Sequence, residues 1–221
     1  MVSECASVDP EAGKRMIKLY GFTMSNYFNM VKMALLEKEI AFEVVDIRGS
    51  QDESFLKMSP MGKVPCIETE RGFLSETNVI LEYLEDLGTG PNLMPADPYE
   101  RAKVRELMKE LELYLELPAR TCFPEAFFGG SVSDEVKETA RVNLAKGIAC
   151  LKRNGAFSPF VAGDHFTMAD VIFQYSANLA GAASKRVLGM DLFADLPEAK
   201  ALLKLLGERA SAKQVAADQA G

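Results

Sequence analysis

The residues with chemistry to offer come early in this chain and in a fixed order. Gly62-Lys63-Val64-Pro65 precedes a short apolar run. A proline there donates no ladder hydrogen bond and belongs at a sheet edge or a bulge. Alone, it reads as a trans proline starting a strand, since only about 5–6% of X–Pro bonds in folded proteins are cis. With a cis bond, Val64 turns its backbone outward, and its N–H and C=O can pair with an extended, peptide-like ligand. Ser75-Glu76-Thr77 stands at a helix start. Capping accounts for it; so does a binding role, with N–H groups and a hydroxyl holding a ligand carboxylate and Glu76 holding its ammonium group. Thr23-Met-Ser-Asn-Tyr27 follows the first strand. Loops at that end of parallel strands are where α/β sheets hold ligands. Ser25 or Asn26 there caps the next helix; alternatively, a hydroxyl in this loop donates to a bound thiolate. Thr167 and Asp170 form an acidic capping box, which is structural: it satisfies buried N–H groups that otherwise cost about 1–3 kcal/mol each.

The elements that must position these residues follow from periodicity. Met16–Tyr20 reads as a strand, Asn29–Lys38 as a helix and Phe42–Ile47 as a β-branched strand. Ser50-Gln-Asp-Glu53 is a capping box opening a short helix with Phe55 and Leu56. Val64–Glu68 and Phe73–Leu74 are brief strands around a turn at Glu70-Arg-Gly72. Ser75 then caps a helix with Val79, Ile80, Tyr83, Leu84 and Leu87 on one face. The order βαβα then ββα implies a parallel pair with a crossover helix, followed by a hairpin.

After a Gly- and Pro-rich linker only helices are predicted. They are Tyr99–Leu117, Asp134–Arg153 with an αL stop at Asn154-Gly155, a buried Thr167–Leu179, and Pro197–Leu206. The expected division is a loose tail over 1–15, an α/β domain over 16–88, a linker over 89–97, an all-α domain over 98–210 and a loose tail over 211–221.

Composition removes several classes of function. The chain has 221 residues, 48% hydrophobic, with 32 acidic against 25 basic side chains and a net charge of -7. That balance is wrong for a phosphate-backbone binder, so no nucleic-acid partner is expected. No apolar run approaches the roughly 18 residues of a membrane span, and residues 1–15 lack a signal-peptide pattern. Cysteines at 5, 66, 122 and 150 show no CxxC spacing, which points to a reducing, cytoplasmic setting. A single histidine, His165, argues against a multi-His metal site, and no metal is expected.

Taken in order, LYGFTMSNYFNMVKMALLE, MGKVPCIE, FLSETNVILEYLED, the Pro-rich linker, an all-α half and FTMADV resemble a cytosolic glutathione S-transferase over about residues 16–206. The resemblance implies an N-terminal thioredoxin-like domain (βαβαββα), a C-terminal all-helical bundle and a two-fold homodimer. It implies glutathione as co-substrate, no tightly bound cofactor, and a small hydrophobic electrophile as second substrate. Carried over residue by residue, it gives Val64 the backbone pairing with the cysteinyl part of glutathione and makes Val64–Pro65 cis. It gives Glu76 and Thr77 the γ-glutamyl end, and places Lys63 where a Gln or Lys side chain approaches the ligand. Thr167 and Asp170 match the structural capping box of the family.

For thiol activation the resemblance ranks Ser25 first, Asn26 second and Tyr20 third. The first is the serine-type register, the second an asparagine used by some bacterial relatives, and the third the tyrosine-type position. No cysteine occupies the loop after the first strand, which disfavours the thiol-exchange classes, and Cys66 reads as an inert buried thiol. Asn29 and Met30 stand where relatives often carry Arg or Lys. Tyr114–Phe128, rich in aromatics and holding Arg120, is core packing by default and an electrophile pocket in the alternative. The expected activity is transfer of glutathione thiolate to an electrophile. The alternatives are glutathione-dependent peroxide reduction and a non-catalytic binding or scaffold protein on the same fold.

Overall fold

β1 (Ile17–Gly21) buries alternate residues, with Leu19 fully enclosed, the period of two that a half-covered strand shows. α1 (Asn26–Glu37) follows, and β2 (Phe42–Asp46) returns parallel to β1 with Leu19 opposite Val44. A parallel pair needs such a crossover, and the helix supplies it. α2 (Glu53–Leu56) is a single turn. β3 (Cys66–Thr69) runs antiparallel to β1 and forms a hairpin with β4 (Gly72–Ser75), giving the strand order β2-β1-β3-β4. α3 (Thr77–Asp86) completes a βαβαββα, thioredoxin-like unit. The computed structural model describes residues 16–220, so the expectation for 1–15 lies outside the described residues. They form two units, 16–93 with 214–220, and 94–213.

Two local expectations for the first unit are corrected. Ser50 caps no helix: its hydroxyl donates to Asp52 Oδ2 and accepts from the Asp52 N–H, a tight serine turn before α2. In α3 the buried face is Thr77, Ile80, Leu81, Leu84 and Glu85, while Val79 is 52% exposed. The apolar period placed the stripe one residue off because it could not assign a glutamate to the core. Glu85 belongs there because its carboxylate meets the fully buried Lys38 ammonium at 2.8 Å and also accepts the Leu93 N–H.

In the second unit, Asp97 caps α4 (Pro98–Glu110) through the N–H groups of Tyr99 and Glu100. The long helix expected to Leu117 instead passes into a π-helical segment, Leu111–Glu116, before α5 (Leu117–Arg120) and α6 (Phe123–Phe127). α7 (Asp134–Asn154) ends without the expected αL residue. Gly155 has φ -74, and its lack of a side chain serves packing: a Cβ would lie 2.5 Å from the Phe157 ring. α8 (Met168–Ala183), buried continuously from Met168 to Phe173, is the unit's central helix and runs into a second π segment, Ser184–Leu188. α9 (Pro197–Gly207) follows. The stretch expected to be a loose C-terminal tail is α10 (Ala210–Ala220), which from residue 214 on belongs to the first unit. Its alanines favour helix intrinsically, and Ala212 and Val215 are buried.

Candidate functional site

The strand register brings the singled-out segments of the first unit to one end of its sheet. Tyr20 pairs with Cys66 across β1 and β3, and Cys66 pairs with Ser75 across β3 and β4. Continuing past Tyr20 leads into the Phe22–Ser25 loop. Stepping back from Cys66 leads to Pro65, Val64 and Lys63, and stepping on from Ser75 leads to Glu76 and Thr77. All three segments leave the sheet at the same end because β3 is antiparallel to both neighbours.

The Val64–Pro65 bond is cis. Gly62 shapes the approach: its φ is +66, and a Cβ there would sit 2.4 Å from the Ser50 carbonyl oxygen. The turn is fixed by the Gly62 N–H donating to the Ser59 carbonyl at 2.8 Å and the Lys63 N–H to the Ser59 hydroxyl at 3.3 Å. Val64, next in line and half-buried, makes no backbone hydrogen bond among the described residues. Its N–H and C=O are the open rungs of a ladder. The Lys63 side chain is exposed. Cys66 just beyond is fully buried, and burial pushes its thiol up to about 11, so it stays protonated.

Glu76 occupies the N-cap position of α3, not Ser75, and its side chain makes no capping bond. Capping therefore does not account for it. Its φ is +70, left-handed backbone that costs a non-glycine residue roughly 1–2 kcal/mol. The carboxylate stands exposed above the start of the helix and Thr77 is buried beneath it. The first N–H groups of α3 thus lack a side-chain cap from their own N-cap residue, the arrangement that receives a carboxylate.

Ser25 is the N-cap of α1, with extended backbone (φ -81, ψ 116) and a half-buried side chain. Its hydroxyl accepts the Phe28 N–H at 3.3 Å, a long bond, and its own proton has no acceptor among the described residues. No acidic residue stands in the first turn, so the positive end of the helix dipole is not already neutralised there. Asn26 is buried at the first helical position. Tyr20 is engaged elsewhere: its hydroxyl donates to Glu68 Oε2 at 2.7 Å. Burial, and then that bond, push Tyr20 up to about 12. Asn29 and Met30, at positions where a cation was the alternative, are both buried, and Asn29 Nδ2 donates to the Thr23 carbonyl at 2.7 Å.

Thr167 and Asp170 lie in the second unit. Asp170 Oδ2 accepts the Thr167 N–H at 2.8 Å and Oδ1 accepts the Val161 N–H at 2.8 Å, so the pair closes the capping box of α8 and ties down the preceding loop. Arg120 is held by Glu116 at 2.7 Å and lies over the Phe123 ring. No group of three or more His, Cys, Asp or Glu among the described residues is placed to hold a metal ion. No helix among them is long and apolar enough to cross a membrane. The residues that sequence reasoning missed are Asp218 and Gln219, which meet Lys32 on α1 and the Thr23 carbonyl in the loop before it. The one signal for them was the helix propensity of the Ala-rich C-terminal stretch.

Comparison with known proteins adds to this geometry. Residues 19–92 match the sequence model of the glutathione S-transferase N-terminal domain. A Pseudomonas putida protein named glutathione S-transferase is 57% identical over 204 residues, covering 92% of this chain and 93% of the relative. The crystal structure of glutathione transferase F2 from Populus trichocarpa matches with a TM-score of 0.77 at 25% identity, covering 93% of this chain and 100% of that one. A glutathione S-transferase structure from Rhodospirillum rubrum matches with a TM-score of 0.72 at 27% identity, covering 90% and 91% of the two chains.

Proposed function

The chain belongs to the glutathione S-transferase family, and from that premise we propose that it binds reduced glutathione at this sheet end, holds the sulfur as thiolate and transfers it to an electrophilic carbon. The observation that carries the reading is the convergence of three complementary groups. Val64 offers an unpaired N–H and C=O to the cysteinyl peptide. Glu76 offers a carboxylate to the γ-glutamyl ammonium, and the start of α3 with Thr77 offers donors to its carboxylate. Ser25 offers a hydroxyl proton to the sulfur. Lys63, exposed beside Val64, is the cation for the ligand's other end.

The chemistry is within reach of these groups. A free thiol ionises near pH 8.5, and lowering that by about two units needs roughly 2.7 kcal/mol. One charge-assisted hydrogen bond and a helix N-terminus supply that much together. The thiol proton leaves to solvent. The thiolate lone pair forms the C–S bond, and the displaced pair goes to the leaving group or into a conjugated acceptor.

A homodimer acting in the cytoplasm belongs to the same reading. Leu113 and Tyr114, both exposed, border an open groove of about 450 Å³ in the second unit that offers apolar surface to a second copy. Sedimentation at micromolar concentration tests it, and a monomer there contradicts it. For the function itself, calorimetric titration of the wild type with reduced glutathione should show saturable binding that Glu76→Gln weakens at least about tenfold. Turnover with a panel of electrophiles should follow. Binding without turnover on any acceptor would make the chain a glutathione-binding scaffold.

A further inference from the structure

The loop that carries Ser25 is held from the far end of the chain. The Thr23 carbonyl accepts two amide donors, Asn29 Nδ2 at 2.7 Å from within α1 and Gln219 Nε2 at 3.0 Å from α10. The preceding residue, Asp218, places Oδ2 2.5 Å from the Lys32 ammonium on α1 and accepts Gln214 Nε2 on Oδ1 at 2.9 Å. The Lys32 side chain is only 8% exposed. Helical side chains lean toward the N-terminus, and Lys32 does so, with its ammonium 5.9 Å from the Phe28 ring centroid. Phe28 is the residue whose N–H the Ser25 hydroxyl caps. One short polar stretch of α10 therefore fixes both the carbonyl two residues before Ser25 and a buried cation two turns after it.

We infer that Asp218 and Gln219 are positioning residues of the thiolate site, setting where the Ser25 hydroxyl points by clamping Thr23 and Lys32; this rests on the reading of Ser25 as the thiol's hydrogen-bond donor. The clamp is built for strength. The Thr23 carbonyl uses both lone pairs, and the Lys32 ammonium, well removed from water, has an anion in contact. The Lys32 contact also holds the Asp218 carboxyl below the usual carboxylate range. A hydroxyl that stabilises an anion must be held in place beforehand, and small displacements weaken a charge-assisted bond steeply. The Ser25 backbone is held by its N–H on the Phe22 carbonyl and by its carbonyl accepting the Asn29 N–H, both at 3.0 Å, but its side chain has only the long bond from the Phe28 N–H.

The test uses Gln219→Glu, which keeps size but turns a donor into an acceptor, and Asp218→Asn, which keeps size but removes the charge. Both residues reach solvent, so the variants should fold. The readout is the ionisation of glutathione bound to the full chain, followed by thiolate absorbance against pH. Each variant should raise the bound thiol's apparent pKa by about half a unit to one unit, roughly a three- to tenfold loss of thiolate below it. KM for glutathione should change less than twofold, because Val64, Glu76 and Thr77 grip the ligand elsewhere. Asp218→Glu should restore most of the loss. In a Ser25→Ala background neither substitution should shift the thiol further. If Ser25→Ala shifts the thiol while Gln219→Glu and Asp218→Asn leave it unchanged or lower it, the clamp is overturned and the Ser25 reading stands. If Ser25→Ala itself shifts nothing, the premise fails instead.

Discussion

The Tyr20 hydroxyl donates to the Glu68 carboxylate at 2.7 Å, across the β1–β3 pairing, and so faces away from the loop that ends at Ser25. Lys18 completes the group at 3.1 Å from the same oxygen. Glu68 is held below the ordinary glutamate range, first by the tyrosine bond and then by the lysine, while Tyr20 is pushed up to about 12. A tyrosine so placed has already spent its proton on a carboxylate. Tyr20→Phe should therefore leave the pKa of bound glutathione within about 0.3 unit of wild type. It should destabilise the fold by only about 1 kcal/mol for the lost hydrogen bond, measured by urea unfolding. A thiol pKa that climbs by a unit or more would return Tyr20 to the mechanism.

Glu76 combines an exposed carboxylate with φ +70. Glu76→Gln keeps the backbone requirement unchanged and removes only the charge, so glutathione affinity should fall at least about tenfold, the 1.4 kcal/mol worth of one charge-assisted contact, with unchanged thermal stability. Glu76→Gly should lose the same affinity and gain stability, since glycine adopts this φ freely. Calorimetry and thermal melts on the two variants separate the roles.

Lys38 and Glu85 form a buried ion pair at 2.8 Å, with the Pro91 carbonyl and the Leu93 N–H as further partners. Removing one member strands the other, so Glu85→Ala should cost about 3–5 kcal/mol of stability. Gly90 lies against the same residue, and a Cβ there would meet the Lys38 carbonyl oxygen at 2.0 Å, so Gly90→Ala should also destabilise. A loss below about 1 kcal/mol for Glu85→Ala in denaturant unfolding would show the pair to be dispensable.

Asp170 is pushed up to about 6 by burial, against the pull of its hydrogen bonds to Val161 and Thr167. An unfolded aspartate titrates near pH 3.9, so between about 4 and 6 the folded chain holds the extra proton. Stability from this group is fully present below about pH 4 and falls as pH rises through 6. The advantage of wild type over Asp170→Asn should shrink by about 3 kcal/mol from pH 4 to pH 7. An advantage that grows over that range would mean the hydrogen bonds outweigh burial.

The order of elements in the first unit was legible because each strand and helix carries its own period, and because Pro65 and Gly62 punctuate the chain where the backbone turns. What was hidden lies where tertiary partners override local pattern. Glu85 reads as a surface residue until Lys38 is placed against it. Ser50 reads as a helix cap until its hydroxyl is seen on Asp52. The π segments at Leu111–Glu116 and Ser184–Leu188 have no period that tells them from an α-helix. At the site, Val64, Glu76 and Ser25 could be named from sequence, but their meeting at one sheet end is a property of the β1–β3–β4 register. Asp218 and Gln219 could not be named, since polar residues in an Ala-rich terminus carry no sign of what they reach.

The most direct test is the ionisation of glutathione bound to the wild type and to Ser25→Ala and Ser25→Asp. Aspartate keeps the helix cap and removes the proton donor, so it separates the chemical role of Ser25 from the structural one. Wild-type enzyme should hold the bound thiol about two units below its free value near 8.5. Ser25→Ala should lose most of that depression, keeping only the share the start of α1 supplies, and Ser25→Asp should lift the thiol to its free value or above because an anion then faces the sulfur, while glutathione affinity changes little. A bound thiol whose pKa is the same in all three proteins would contradict the account.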